Sequence, residues 1–178
     1  MGEPMKRYSF SDFRAFPKDN RRNEIIGGRW IVTPTGDPGH QNSFLKLFPL
    51  LLTHAGANGL GQILQNATVV LGDSNVVVPD LMLIAPNRGH IVTAEGLTDA
   101  PDLLIEVTSP ASAAIDRGLK VDLYRDRGAR EYWIVDPAAR IIEVHEFHSR
   151  MRWCLYRPGE KFESSLLPNL VVLVEGIV

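Results

Sequence analysis

The stretch Pro101–Pro137 reads P-D-L-L-I-E-V-T-S-P-A-S-A-A-I-D-R-G-L-K-V-D-L-Y-R-D-R-G-A-R-E-Y-W-I-V-D-P, and its reading decides the fold class. Leu103–Val107 is a short apolar run with one carboxylate, Glu106, inside it, which predicts a buried strand. Ser109-Pro110 breaks that strand, and Ser112 is placed to cap a helix. On this helix Asp116, Lys120 and Tyr124 share one stripe. Ile115, Leu119 and Leu123 form an apolar stripe expected to face the core. Gly128 stops the helix, and Glu131–Val135 is a second apolar strand. Strand, helix, strand in this order fits a right-handed crossover in an α/β domain with a mixed sheet.

Upstream, Val76–Ile84 predicts another strand, again with a single carboxylate, Asp80. Gly61–Leu71 reads as a further strand, Gly72–Asn75 as a turn and Ala85–Ala100 as a loop. The run Asn23–Val32, N-E-I-I-G-G-R-W-I-V, predicts a hairpin about Gly27-Gly28 with Glu24 at its entrance. Phe10, Phe13 and Phe16 suggest a short helix capped by Ser11 and stopped by Pro17. After the loop Thr33–Gly36, Asp37-Pro38 is an N-cap followed by proline at the first helical position. That helix is expected to reach about His54, burying Leu45, Phe48 and Leu52, kinking at Pro49 and ending at Gly56 and Gly59. His40 and Gln41 lie in its first turn.

Downstream, Ile141–Phe147 is the expected hairpin partner of Glu131–Val135. Met151–Arg157 and Lys161–Phe162 suggest another edge hairpin, and the apolar tail Leu166–Val174 should pack back on the body. No repeat, low-complexity segment or linker interrupts the 178 residues, so residues 1–178 are read as one domain.

Composition excludes several classes. The apolar and charged fractions, 44% and 22%, are those of an ordinary folded chain, and a net charge of −2 does not advertise a nucleic-acid partner. A single cysteine, Cys154, permits no internal disulfide and no cysteine-based zinc cluster. The first residues lack the apolar core of a signal peptide, and no run is long enough to span a bilayer. A cytoplasmic setting without membrane association is the expectation.

Two acids inside apolar strands carry the chemical signal. A buried carboxylate needs a cation, a metal or solvent at the strand end. Asp80 admits a plain account as a strand-end or turn residue after Pro79, and Glu106 one as half of a buried ion pair. Paired Asp and Glu oxygens also suit a hard divalent cation such as Mg²⁺, which polarises a phosphoryl oxygen and acidifies water. Thr108 stands two residues beyond Glu106 on the same strand face, where a lysine is expected beside a metal-binding acid pair. Lys120 can be recruited from the following helix; its plain account is a surface i, i+4 salt bridge with Asp116.

The segments V-P-D-L (78–81), P-D-L-L-I-E-V-T-S-P (101–110), D-R-G-L-K (116–120) and E-Y-W-I-V-D-P (131–137) closely resemble the Uma-two family of restriction-endonuclease-like proteins. That family is a bacterial branch of the PD-(D/E)xK nuclease superfamily. N-E-I-I-G-G-R-W (23–30), the H-Q after Pro38 and L-L-P-N-L (166–170) extend the resemblance over nearly the whole chain. It implies a restriction-endonuclease-like mixed β-sheet flanked by helices, here with C-terminal β-hairpins, and a site at the strand ends. It implies Asp80 and Glu106 as metal ligands with the Val107 carbonyl, and Lys120 as a migrated catalytic lysine. Glu24 matches the family's N-terminal acid, which implies a role near a second metal or its water. His40 matches a histidine that contacts substrate, although a helix-capping role fits it equally. The chain departs from the family pattern at Asn23, usually tyrosine, at Gly27, usually aspartate, and at Pro49 within the helix.

The expected function is a Mg²⁺- or Mn²⁺-dependent endonuclease acting on DNA, working as a homodimer because cutting both strands needs two sites. The alternative is a catalytically inactive nuclease-fold module that binds or regulates; a hydrolase of small phosphoesters is a third reading. Arg125, Arg127 and Arg130 complement a helix dipole or meet DNA phosphates. His145-Glu146-Phe147-His148 lacks the spacing of a zinc motif, and Tyr132 and Trp133 read as core.

Overall fold

The apolar run identified above forms the middle of a sheet. The computed structural model describes residues 6–34, 36–148 and 151–178, so Met1 to Met5 of the N-terminus and Thr35 of the Thr33–Gly36 loop lie outside the described residues. In chain order the elements are α1 (Phe10–Phe13), β1 (Arg22–Ile26), β2 (Arg29–Thr33), α2 (Pro38–Ala57), β3 (Gln62–Gln65), β4 (Val69–Val70), β5 (Val76–Val77) and β6 (Leu81–Ile84). After a 3-10 turn at Pro86–Ile91 come β7 (Val92–Thr93), β8 (Gly96–Leu97), β9 (Leu103–Val107), α3 (Ala113–Asp116), α4 (Leu119–Asp126) and β10 (Glu131–Asp136). The chain closes with β11 (Ile141–Glu146), β12 (Arg152–Tyr156), β13 (Lys161–Ser164), β14 (Leu167–Leu173) and α5 (Val174–Ile177).

The central sheet has the order β12-β11-β10-β9-β6-β3. β9 and β10 are parallel, joined through α3 and α4, and every other pair in it is antiparallel. This is the mixed sheet flanked by helices expected from the sequence. Alternation along β9 and β10 divides the core. Leu103, Ile105, Val107, Trp133 and Val135 pack with α2 and the C-terminal segment, whereas Leu104, Tyr132 and Ile134 pack with α4 and the second sheet. By the same alternation Glu106 projects with Leu104, toward α4. The second sheet runs β2-β1-β5-β4-β8-β7, and β13 pairs with β14.

The hairpin forms as expected: Gly27 and Gly28 both take positive φ, as a two-residue turn requires. The first cap is Ser9 rather than Ser11, because Ser9 and Asp12 close a capping box. On α2, Asp37 caps and Pro38 opens the helix, which runs unbroken through Pro49 to Ala57. Its buried face is Ser43, Leu47, Leu51 and Ala55. Leu45 and Leu52, expected inside, are 69% and 47% exposed. The stripe was hidden by Ser43, whose buried hydroxyl donates to the Ile177 carbonyl at 3.0 Å and so tolerates the core.

Two expected strands are each broken in two. Gly61–Leu71 divides into β3 and β4 around Asn66, which has φ +48, and the halves join different sheets. Val76–Ile84 divides into β5 and β6 at Val78-Pro79-Asp80, where proline withholds a ladder hydrogen bond. Asp80 therefore sits at a strand break and not inside a strand. Ala85–Ala100 contains the 3-10 turn and the short β7–β8 hairpin instead of loop alone. The helix from Ser112 breaks at Arg117-Gly118, and its inward stripe is Asp116, Lys120 and Tyr124; Leu119 is exposed. At the C-terminus β12 pairs with β11 and β13 with β14, in place of the hairpin between Met151–Arg157 and Lys161–Phe162.

The face of α2 is directly testable. Leu47→Ala should lower unfolding free energy by about 2–5 kcal/mol, and Leu45→Ala should change it by less than about 0.5 kcal/mol. Urea unfolding followed by circular dichroism separates these outcomes; equal losses at both positions contradict the packing described.

Candidate active site

Strand register brings the two acids together. β6 and β9 pair antiparallel with Leu81 opposite Ile105 and Met82 opposite Leu104. One further step sets Asp80 beside Glu106. The Asp80 Oδ2 accepts from the Val107 backbone N–H at 2.8 Å, which fastens the strand break to β9. The β1–β2 hairpin, paired through Ile25 to Val76 of β5, brings Arg22 and Glu24 to the same place. These two stand two residues apart and so share one face of β1. From the other side α3 and α4 present Asp116, Lys120 and Tyr124, four residues apart, on one helical face.

The polar atoms of this centre are held by one another, except that Asp116 Oδ1 has no hydrogen-bond partner. Glu106 Oε1 accepts from the Lys120 ammonium at 2.9 Å and from the Tyr124 hydroxyl at 3.1 Å. Glu106 Oε2 accepts from Arg22 Nη1 at 3.0 Å, while Arg22 Nη2 donates to Asp80 Oδ1. Lys120 Nζ also lies 3.0 Å from Glu24 Oε2 and 3.2 Å from Asp116 Oδ1, the latter an ion pair without hydrogen-bond alignment. Glu24 Oε1 is held by the Val78 N–H at 2.9 Å, and Asp116 Oδ2 accepts from the Thr108 hydroxyl at 2.8 Å. Thr108, at the position where a lysine was expected, thus anchors the acid that pairs with Lys120. The Lys120–Asp116 pair foreseen as a surface bridge exists, but both side chains are only 2% exposed.

His40 is not a cap. Its backbone N–H is the one that Asp37 Oδ1 accepts, at 2.9 Å. Its imidazole reaches the Val107 carbonyl, 2.6 Å from Nδ1. A carbonyl only accepts, so Nδ1 carries the proton. Nε2 then faces Asp80 Oδ1 at 3.5 Å. Asp80, Glu106, Lys120, Glu24, His40 and the Val107 carbonyl, singled out from sequence, therefore all converge. Sequence reasoning assigned no part to Arg22, nor to Tyr124 beyond its stripe. The signal for Arg22 was its i, i+2 spacing from Glu24 on a strand.

Formal charge in this centre is unbalanced. Glu24, Asp80, Glu106 and Asp116 are buried with one ammonium and one guanidinium close to them. Burial, with Asp80 and Asp116 adding repulsion, pushes the Glu106 carboxyl up to about 8, against the opposing pull of Lys120 and Arg22. Burial disfavours the Lys120 ammonium, but Glu106, Glu24 and Asp116 more than offset it and hold its pKa above the ordinary lysine value. Lys120 is therefore a fixed positive charge and no proton acceptor at neutral pH. The acids likewise outweigh burial at Arg22 and raise its pKa. Among the described residues no three His, Cys, Asp or Glu side chains form a metal-binding group; the set expected from sequence holds only two such side chains and a backbone carbonyl.

The centre opens on a cleft of about 1000 Å³. Arg22, His40 and Val107 line it, as do Arg14, Lys18 and Arg21 from the N-terminal segment, with Arg14 paired to Glu95 and Arg21 to Asp19. Arg125 and Arg130 are not among the residues that line it; Arg125 pairs with Asp122 and Asp126, and Arg130 lies near Asp102. Among the described residues no helix is long and apolar enough to cross a membrane.

The sequence matches the model of the Uma2 family, described as "Putative restriction endonuclease", over residues 10–175. No curated protein matches the chain. Among solved structures, the crystal structure of "a putative nuclease belonging to DUF820" from Anabaena variabilis aligns with a TM-score of 0.80 at 17% identity, over 95% of this chain and 96% of that chain. At that identity the likeness shows the fold alone.

The raised Glu106 pKa has a consequence for stability. Between the ordinary 4.5 and about 8 the folded protein keeps a proton that the unfolded chain releases. Stability contributed at Glu106 is thus present at low pH and falls as pH rises through that window. Urea midpoints measured across it should decline for the native protein and decline less for Glu106→Gln, which cannot ionise. Parallel curves would contradict this origin of the shift.

Proposed function

Because the chain belongs to the Uma2 family of restriction-endonuclease-like proteins, as the match over residues 10–175 shows, we propose that it is a Mg²⁺- or Mn²⁺-dependent endonuclease hydrolysing DNA phosphodiester bonds. One observation carries the reading: Lys120 reaches Glu106 from the crossover helix at 2.9 Å, supplying the cation that Thr108 cannot.

The donor set fits a hard cation. Asp80 Oδ1, Glu106 Oε2 and the Val107 carbonyl are oxygens, and each is already held by a positively charged or proton-donating side chain, Arg22 or His40. The excess of buried carboxylates over cations is the charge a divalent ion would balance. When bound, such an ion supplies charge neutralisation at phosphorus and a more acidic water.

The chain's own residues do the rest. Lys120, held protonated, stabilises negative charge developing on the phosphoryl oxygens. Glu24 and Asp116 position that ammonium, and the Tyr124 hydroxyl orients Glu106. His40, Arg14, Lys18 and Arg21 border the cleft where a phosphate backbone would lie. A homodimer would bring two such sites to the two strands.

An inactive nuclease-fold module is the second reading. It draws on one observation, that Asp80 and Glu106 are already satisfied by protein donors. Plasmid cleavage in Mn²⁺ or Mg²⁺ decides between them. Asp80→Asn and Glu106→Gln should abolish cleavage with the fold intact by circular dichroism, and Lys120→Met should lower kcat by about 10²–10³-fold. Cleavage undiminished in the two acid variants, or absent in the native protein, rejects the catalytic assignment.

A further inference from the structure

Arg22 holds the two oxygens that an incoming cation would need. Of the four carboxylate oxygens on Asp80 and Glu106, Asp80 Oδ2 is committed to the Val107 N–H and Glu106 Oε1 to Lys120 and Tyr124. The remaining pair, Asp80 Oδ1 and Glu106 Oε2, faces the two Nη atoms of Arg22. One planar guanidinium thus spans both acids, as its fork geometry permits and a lysine ammonium would not.

The two cations of the centre are held very differently. The Lys120 side chain is 2% exposed and locked among Glu24, Glu106 and Asp116. The Arg22 side chain is 21% exposed, springs from the first residue of β1 and lines the cleft. It can turn into the cleft without dismantling a strand or helix.

We propose that Arg22 is an internal counter-cation of the acid pair, competing with a divalent ion for Asp80 and Glu106 and leaving for the cleft when the ion binds. The inference rests on the metal-dependent reading of this site. Exchange of a single charge for a double one moves the centre toward neutrality. In the cleft the displaced guanidinium meets the phosphates of a bound strand, where it makes paired charge-assisted hydrogen bonds. Arg22 is therefore a positioning residue that couples ion loading to occupation of the cleft.

Calorimetric titration of Mn²⁺ into the native protein, Arg22→Gln, Arg22→Lys and Asp80→Asn, in mildly alkaline buffer, tests this. Arg22→Gln should bind Mn²⁺ about tenfold or more tightly than the native protein, since a charge-assisted competitor is gone. Arg22→Lys should fall between them, and Asp80→Asn should lose binding. Should Arg22→Gln fail to fold by circular dichroism, Arg22→Lys carries the comparison. A merely structural arginine would give weaker binding on removal. Equal or weaker binding in the Arg22 variants, with binding still lost in Asp80→Asn, overturns the role of Arg22 alone. No Mn²⁺ binding by the native protein, or binding unaffected in Asp80→Asn, overturns the metal reading as well.

Discussion

The burial of four carboxylates around one ammonium and one guanidinium is the constraint on which this structure turns. An ionised carboxylate removed from water is costly unless it is paired and hydrogen-bonded. Each surrounding element answers that need. The break at Pro79 turns the Asp80 side chain onto the Val107 N–H. The strand β1 contributes Arg22 opposite the acids, and α4 turns its polar stripe inward to deliver Lys120 and Tyr124. The same burial, with Asp80 and Asp116 adding repulsion, pushes the Glu106 carboxyl well above the ordinary carboxylate range.

This arrangement explains what could be read from the residues and what could not. The β9–α4–β10 unit was legible because a short apolar strand, a capped amphipathic segment and a second apolar strand leave few alternatives. Asp80, Glu106 and Lys120 were legible as charges in apolar or striped contexts, once the family resemblance linked them. The breaks were not. Pro79 and Asn66 interrupt apolar runs whose composition stays β-like on both sides, and only pairing to different sheets separates the halves. Of the apolar stripe expected on this helical segment, Leu123 is buried and Ile115 packs on the core, and only Leu119 is exposed. Lys120 takes an inward place because two of its three acids, Glu24 and Glu106, come from elsewhere in the chain, where no local pattern records them. The face of α2 was misread for a similar reason, since Ser43 looks polar until its partner at Ile177 is known. Arg22 was overlooked because an arginine beside a hairpin looks solvated, and its partners lie 58 and 84 residues away.

Family and fold place the chain among nuclease-like proteins, but they do not say what each side chain does. That reading comes from charge and geometry. Lys120 is held as a cation among Glu24, Glu106 and Asp116. The oxygens of Asp80 and Glu106 are divided between protein donors on one side and Arg22 on the other. The Val107 carbonyl is held by His40. The centre meets the cleft through Arg22, His40 and Val107, which line it.

The most direct measurement is anomalous diffraction from crystals of the protein soaked in Mn²⁺. The account predicts a manganese peak bounded by Asp80, Glu106 and the Val107 carbonyl, with the Arg22 guanidinium turned into the cleft. Saturating Mn²⁺ with no peak there, and Arg22 still spanning the two acids, would contradict it.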